Sequence, residues 1–396
     1  MVDMEKGKRI LFLISRFLDG GIDTVLVEYL NNLQLLTNHQ LTLCIMLNMG
    51  DGLEVYLPRL SKQIEVVYLI PQLLTWYKRQ AIKGKRNAVW STVDELFLNP
   101  IRRQLVRSRL NQMAPRYDAV VDFDSCWGAF IKEGWPVRKI AFFHFSFRKE
   151  LERVPRRIRR FEKKIARYDW VVTISDAMLQ EGQDLFPAMA HKFVRIYNSL
   201  NLQQLEVKAG EAILANVVKT PYLLAVERLE EGQKDIATLL DAYAILNGFM
   251  GEHTPYMYII GKGKDAKRLE QKARSLHLGD KTPRFLGFQS NPLPWMKNAV
   301  AIVHSAKFEG LPTVLIEALL LNKLIVSTDC PTGPREILNE GKAGLLVPVG
   351  NAEAFANAIK KILVDVELQH QILDGVNQHK RVFMPQDGIK KFESLL

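Results

Sequence analysis

Two carboxylates and two cations in the second half of this 396-residue chain have the side chains and spacing to handle a phosphorylated ligand rich in hydroxyls. Glu309 and Glu317 flank the Gly-Leu-Pro turn of "FEGLPTVLIEALL". Carboxylates accept hydrogen bonds and donate none, so a pair beside an anion site suits the hydroxyls of a sugar and a ribose. Pro312 is expected at the first helical position, where its missing N–H would lack a partner anyway. Gly310 lets backbone approach a ligand closely, and the free amides of Thr313 and Val314 at a helix start form a site for a diphosphate. Taken alone, the same stretch also reads as an ordinary helix start with a solvated glutamate.

A second loop adds cations. In "AVERLEEGQKDIATLLDAY", Arg228 and Lys234 stand six apart between a strand and a helix. Two cations beyond a strand end can neutralise a diphosphate leaving group as charge develops on it. Isolated cations at such positions are commonly solvated. "GKGKD" (261–265) supplies a glycine turn at Gly261, although a lone G-x-G says little.

These loops need a frame, and the hydrophobic pattern provides one. Apolar runs at 9–15, 40–48, 64–69, 117–123, 139–145, 170–175 and 192–198 read as strands of a first half. Runs at 222–229, 256–263, 283–288, 300–305, 324–329 and 344–348 read as strands of a second. Helical patterns separate most of them. Strands apolar on both faces and alternating with helices argue for parallel sheets, hence an α/β chain of two doubly wound Rossmann-like domains. The expected division is 1–205, basic and acceptor-binding; 206–380, donor-binding; and 381–396, a last helix returning to the first domain. Ligands bind beyond the carboxyl ends of such strands, so two of these domains facing one another would leave a cleft for two substrates.

Composition narrows the classes. Cys44, Cys126 and Cys330 are odd in number and scattered, which points away from disulfides and thiolate metal sites and toward a reducing cytosol. The basic start gives way to an apolar run that Arg16 ends too early for a signal peptide, so a buried strand is expected there. No run of about 20 uncharged apolar residues occurs. The net charge of +11 resides almost wholly in residues 1–200, which points to an anionic partner.

Together these residues resemble family 4 retaining glycosyltransferases of the GT-B fold. The resemblance rests on Arg228, Lys234, the E-x7-E pair Glu309 and Glu317, and the phrases "EGLP…EAL" and "GLLVP". In the first half, "FLDGGID" (17–23) is similar to the family's glycine loop, "FFHFS" to its active-site histidine segment at His144, and "IYNSLN" (196–201) to the strand before its linker. It implies that Arg228 and Lys234 hold the donor diphosphate, Glu309 the sugar hydroxyls and Glu317 the ribose. Gly310, Leu311 and Thr313 would line the sugar and phosphate, Gly261 the adjoining turn, and Phe288 with Gln289 the base. Gly20 and Gly21 would let the first domain approach the phosphates, and His144 would bond the sugar. The implied mechanism is front-face attack with retention, without metal or cofactor, on a UDP- or GDP-linked sugar as substrate. Alanine at Glu309, Arg228 or Lys234 is expected to remove most transfer from a folded protein.

Three positions depart from the family's pattern: Glu227 and Asp235 stand where glycine is common, and Asp23 where glutamate is frequent. Acids beside a diphosphate site put the local geometry and the donor in question. Lastly, "LERVPRRIRRFEKKIARY" (151–168) has one apolar stripe at helical spacing and eight cations around it, and "WYKRQAIKGKRNAVW" (76–90) adds five more. Such faces are either solvated or rest on an anionic membrane, which would place the enzyme at the inner face of the plasma membrane. Nucleic acid is not expected, for want of a recognition motif or stacking platform. The function so read is sugar transfer from a nucleotide-sugar to a growing glycan or glycolipid acceptor: lipopolysaccharide core, capsule or lipid-linked oligosaccharide. The alternatives are a GT-B enzyme on a soluble acceptor, a nucleotide-sugar epimerase, and a polyanion-binding module without catalysis.

Overall fold

A computed structural model describes residues 7–18, 20–50, 52–85, 87–213 and 221–396. The chain forms two compact units, Met1–Ser199 with Pro385–Leu396, and Leu200–Met384. In the first unit, strands β1 (Arg9–Ile14), β2 (Gln40–Leu47), β3 (Glu65–Ile70), β4 (Ala119–Asp122), β5 (Arg138–Phe143), β6 (Trp170–Thr173) and β7 (Phe193–Arg195) form one sheet in the order β3-β2-β1-β4-β5-β6-β7. In the second, β8 (Tyr222–Val226), β9 (Tyr256–Ile260), β10 (Arg284–Gly287), β11 (Ala301–His304), β12 (Ile325–Thr328) and β13 (Leu345–Val347) form another in the order β10-β9-β8-β11-β12-β13. Every pairing is parallel. The two doubly wound sheets are as the apolar runs require: strands buried on both faces need helices on both.

Strand order reverses between β1 and β4 in the first sheet and between β8 and β11 in the second, the places where open α/β sheets leave room for ligands. A carboxylate ties each of them. Asp124, just beyond β4, accepts from the Ser15 amide beyond β1 at 2.7 Å. Glu227, just beyond β8, accepts from the Ser305 amide beyond β11 at 2.7 Å. Each bond fixes the spacing of two loops at the point from which site residues emerge.

The helix Pro385–Glu393 belongs to the first unit and drives Phe392 into its core, with ring centroids 6.0 Å from Phe12 and 5.6 Å from Tyr29. Two expectations are corrected. The stretch 151–168 is not one helix: it divides into Phe147–Arg153, a single turn at Pro155–Arg157, and Ile158–Ile165. Val154 precedes a proline and takes φ −147° and ψ 82°, outside the helical region, which ends the first helix and leaves Val154 exposed. Of the apolar stripe, Phe161, Ile165 and Tyr168 are buried. Pro312 is likewise the N-cap, with extended backbone at ψ 107°, and the helix runs Thr313–Leu320.

Candidate functional site

In the second unit the loops following β8 and β11 are laced together. Lys234 forms an isolated antiparallel bridge with Ala306, the Lys307 amide donates to Gln233 O at 2.8 Å, and the Asp235 amide donates to Ser305 O at 3.0 Å. This pairing sets Lys234 Nζ 2.6 Å from Glu309 Oε1 and 3.5 Å from Glu227 Oε2, with all three residues buried. Gln233 Nε2 donates to the other Glu309 oxygen at 3.2 Å. Burial alone would push the Glu309 carboxyl up, but the Lys234 ammonium beside it holds it down to about 2. Burial likewise disfavours charge on Lys234, and the Glu309 and Glu227 carboxylates outweigh it and raise its pKa. Both groups are therefore ionised across the physiological range.

His304, which the sequence reading passed over, completes the cluster. Its Nε2 lies 3.3 Å from Lys234 Nζ and its Nδ1 2.9 Å from Ser327 Oγ. An ammonium has only donors, so Nε2 accepts and the ring proton sits on Nδ1 and donates to Ser327. The imidazole is thus a prop for the ammonium, with its Nε2 also 3.7 Å from Glu309 Oε1. Only its place at the end of an apolar strand, aimed at the same loops, could have singled it out.

The turn after Glu309 is held from below. Thr332 Oγ1 donates to Gly310 O at 2.9 Å, and the Glu309 amide donates to Pro331 O at 2.8 Å. Gly333 sits at φ 89°, and a Cβ there would meet Pro312 Cδ at 2.7 Å and Gly310 O at 2.8 Å. This backing glycine was also missed. Among the described residues the amides of Thr313 and Val314 have no acceptor, as expected of the first turn of a helix. Glu317 lies on the helix, half-buried. Cys330 is buried in the same neighbourhood, and burial with the nearby Glu309 charge pushes its thiol up to about 12.

The glycine turn after β9 is closer to the site than its sequence suggests. A Cβ on Gly261 would fall 1.8 Å from Glu227 O, and one on Gly263 2.2 Å from Leu229 O. Only glycines let the 227–229 and 261–263 loops touch, and the Leu229 amide donates to Lys262 O across them at 3.0 Å. Phe288 is exposed, with Lys262 Nζ 4.6 Å from its ring centre, and Gln289 Nε2 donates to Leu286 O at 3.0 Å. Arg228 stands apart from the cluster: it is exposed, and its guanidinium has no hydrogen bond or ion pair among the described residues.

Both unexpected acids of this unit turn out to be internal. The Glu227 side chain is 0% exposed and serves Ser305 and Lys234. Asp235 is buried at the N-cap of the helix Ile236–Met250, its carboxylate 3.9 Å from Lys307 Nζ.

In the first unit, Gly20 is the N-cap of the helix Gly21–Leu36, and its amide donates to Asp23 Oδ2 at 2.8 Å. The adjacent Asp19 lies outside the described residues. His144, just beyond β5, lies 2.8 Å from Phe123 O through Nε2. A carbonyl only accepts, so Nε2 carries the proton and Nδ1 is left as an acceptor. Burial lowers its pKa to about 4, against the pull of that hydrogen bond, which keeps the ring neutral.

The two parallel sheets are those of GT-B glycosyltransferases. The structure of Anabaena Alr3699/HepE in complex with UDP and glucose superposes with a TM-score of 0.74 at 17% identity, over 98% of each chain. The apo lipopolysaccharide outer core galactosyltransferase WaaB gives 0.65 at 19%, again over 98% of each. Residues 210–376 match the family of glycosyl transferases group 1. An N-acetylgalactosamine-N,N'-diacetylbacillosaminyl-diphospho-undecaprenol 4-alpha-N-acetylgalactosaminyltransferase of Campylobacter jejuni is 31% identical over 215 residues, 54% of this chain and 56% of that protein. A lipopolysaccharide 1,6-galactosyltransferase of Salmonella typhimurium is 30% identical over 188 residues, 46% of this chain and 49% of its own. The chain thus spans about half the length of the curated relatives it matches.

Proposed function

We propose that the protein is a glycosyltransferase that moves a sugar from a nucleotide-sugar to a growing bacterial surface glycan, as the names of its relatives suggest. The observation that carries this reading is the buried Lys234–Glu309 pair in the loop that leads to the unpaired amides of Thr313 and Val314, with an exposed and unpaired guanidinium, Arg228, on the same loop as Lys234. A diphosphate meeting this surface gains hydrogen bonds from Arg228 and from the helix start, while the Lys234 ammonium, whose protons face Glu309, His304 and Glu227, adds charge rather than a free donor. Glu309, held ionised, accepts and never donates, which suits sugar hydroxyls; Glu317 is assigned the ribose. Gly310, Leu311 and Thr313 line the phosphate side, Gly261 keeps the neighbouring loop close, and Phe288 with Gln289 take the base. Gly20, Gly21 and His144 keep the roles given by the resemblance, and the free lone pair of His144 Nδ1 fits a hydroxyl donor.

The donor is read as UDP-linked, in keeping with the UDP and UDP-glucose named for solved structures of the same fold. In the reaction the bond from the sugar's anomeric carbon to phosphate oxygen breaks, the acceptor oxygen bonds that carbon, and its proton passes to the departing phosphate. We assign retention and metal independence on the resemblance, with Arg228 and Lys234 bearing the leaving-group charge. A thermal-shift screen of nucleotide-sugars, followed by NMR of the product's anomeric proton with and without chelator, tests this. Stabilisation by a nucleotide-sugar, approaching about 2.7 kcal/mol at 100 times its dissociation constant, is expected. Inversion, or loss of activity in chelator, contradicts the two finer assignments.

Attachment to an anionic membrane belongs to the same reading, and an apolar surface in the first unit supports it. Leu73, Trp76, Val89, Trp90, Leu96 and Phe97 are all exposed, and the Trp76 and Trp90 rings meet edge to face at 5.5 Å. Lys83, Lys85, Arg103 and Arg107 are exposed in the same stretch of chain. Tryptophans with flanking cations suit the headgroup region of an anionic bilayer. No described helix is long and apolar enough to cross a membrane.

A further inference from the structure

The cations of residues 157–167 do not form a flat face. All but Arg159 line a cavity of about 510 Å³ in the first unit, beyond the carboxyl ends of β4 and β5, together with residues of the loop 124–129 and Phe145. That volume suits a saccharide-sized ligand. Arg157, Arg160, Lys163, Lys164 and Arg167 all contribute, against two carboxylates, Asp124 and Glu150. Both carboxylates are already engaged. Asp124 Oδ2 accepts from the Ser15 amide at 2.7 Å and from the Ser15 hydroxyl, and Glu150 Oε2 accepts from Arg157 at 2.6 Å.

Two of the cations are fixed in place by the fold. Lys164 lays its stem on Gly128, where a Cβ would meet Lys164 Cγ at 2.6 Å, and holds its ammonium 5.0 Å from the Phe143 ring centre. Arg167 donates to Gly128 O. Arg160 and Lys163 have no ion pair among the described residues, so their charge is available to a ligand. Ser125, at φ 53° and buried, folds the loop so that the Cys126 and Trp127 amides bond Asp122, at 3.1 and 2.9 Å. A non-glycine residue held in that region costs energy and tends to mark ligand sites. Phe145 and Phe161 supply apolar walls against which the C–H face of a sugar ring can lie.

We propose that this cavity binds a phosphate-bearing saccharide, the acceptor of the transfer reaction, and so restricts that acceptor to an anionic glycan. The inference rests on the glycosyltransferase reading and names its second substrate. Phe145 follows His144 directly in the chain, so a glycan anchored here by phosphate lies beside the loop assigned to the sugar. The phosphate has two chemical sources: a monoester on a sugar ring, or the diphosphate that joins a glycan to a lipid.

The test uses the full chain with the donor site filled by saturating UDP. Glucose 6-phosphate, glucose and inorganic pyrophosphate are titrated calorimetrically into wild type, Arg160→Gln/Lys163→Gln and Arg160→Glu/Lys163→Glu. Removing both charges should weaken binding of the phosphorylated probe by about tenfold or more while leaving UDP affinity unchanged. Tighter binding of glucose 6-phosphate assigns the cavity to a sugar monoester, and tighter binding of pyrophosphate to a lipid-linked diphosphate. The glutamine variant keeps the readout meaningful if charge reversal unfolds the protein. Equal affinities in wild type and both variants, no binding of either probe, or glucose binding as tightly as its phosphate overturns the proposal. If UDP itself fails to bind, the donor reading fails separately, and the same comparison is made without it.

Discussion

Lys234 and Glu309 come from different loops of the second unit and meet in a buried ion pair of 2.6 Å, with Gln233 on the far carboxylate oxygen and His304 behind the ammonium. The pair has a structural duty as well as a chemical one. Removing one partner strands the other as an uncompensated buried charge, which costs about 3–5 kcal/mol. Lys234→Ala and Glu309→Ala should each lose about that much stability in urea unfolding, and the double variant distinctly less than their sum. Additive losses would show that the two groups are not coupled.

Arg228 is the cleaner chemical probe, because nothing in the described structure holds its guanidinium. Arg228→Ala should change stability by no more than about 0.5 kcal/mol, as exposed substitutions do. It should raise the barrier to transfer by about 2–4 kcal/mol, the usual effect of deleting one charged contact to a developing anion. Steady-state kinetics beside a melting curve separates the two; wild-type rates remove Arg228 from the site.

Gly333 supports the Gly310–Pro312 turn from behind at a positive φ with no room for a Cβ. Gly333→Ala should cost more than about 1 kcal/mol, through both backbone strain and the clash with Gly310 O. It should also weaken nucleotide binding by displacing the turn. A variant as stable as wild type and of equal affinity would show that the turn does not depend on this contact.

Asp122 gives a pH signature from the first unit. Burial pushes its carboxyl up from 3.8 to about 7, and repulsion from Asp124 adds to this. The native state then binds this proton more tightly than the unfolded chain, so its contribution to stability falls as pH rises from 3.8 to about 7 and is level above. Asp122→Asn should flatten the fall in melting temperature over that window. An unchanged slope would place the titration elsewhere. Glu309, held down to about 2 against 4.5 in the unfolded chain, adds a contribution that rises with pH at the acid end of that window and is level well above 4.5, and Lys234, its pKa raised, adds no slope there.

The apolar surface around Trp90 makes a prediction for membranes. Replacing Trp90, Leu96 and Phe97 with serine should leave melting unchanged and reduce sedimentation with anionic vesicles, while wild type prefers anionic over neutral vesicles. Equal partition of wild type into both kinds, or no effect of the substitutions, counts against attachment through this face.

Both sheets were legible in the sequence because their strands are short, apolar on both faces and regularly separated by helices, a pattern that leaves parallel α/β little competition. Boundaries set by one proline were less so: Val154 before Pro155 ended a helix that periodicity alone carried on to residue 168. The cluster of Lys234 with Glu309 was not legible as an ion pair, since spacing along a chain does not show which loops a sheet brings together. Glu227 and Asp235 looked like intrusions on an anion site, yet burial turned both into internal partners. His304 and Gly333 carry no motif, and their roles follow from contacts with residues distant in sequence.

The role proposed for Arg228, Lys234 and the amides after Glu309 is to act on a diphosphate. The most direct measurement compares UDP with uridine, and GDP with guanosine, by calorimetric titration into wild type and Arg228→Ala. Wild type should bind one diphosphate far more tightly than its nucleoside, and this gap should shrink by about tenfold or more in the variant while nucleoside affinity holds. A gap of the same size in both proteins, or none in wild type, contradicts it.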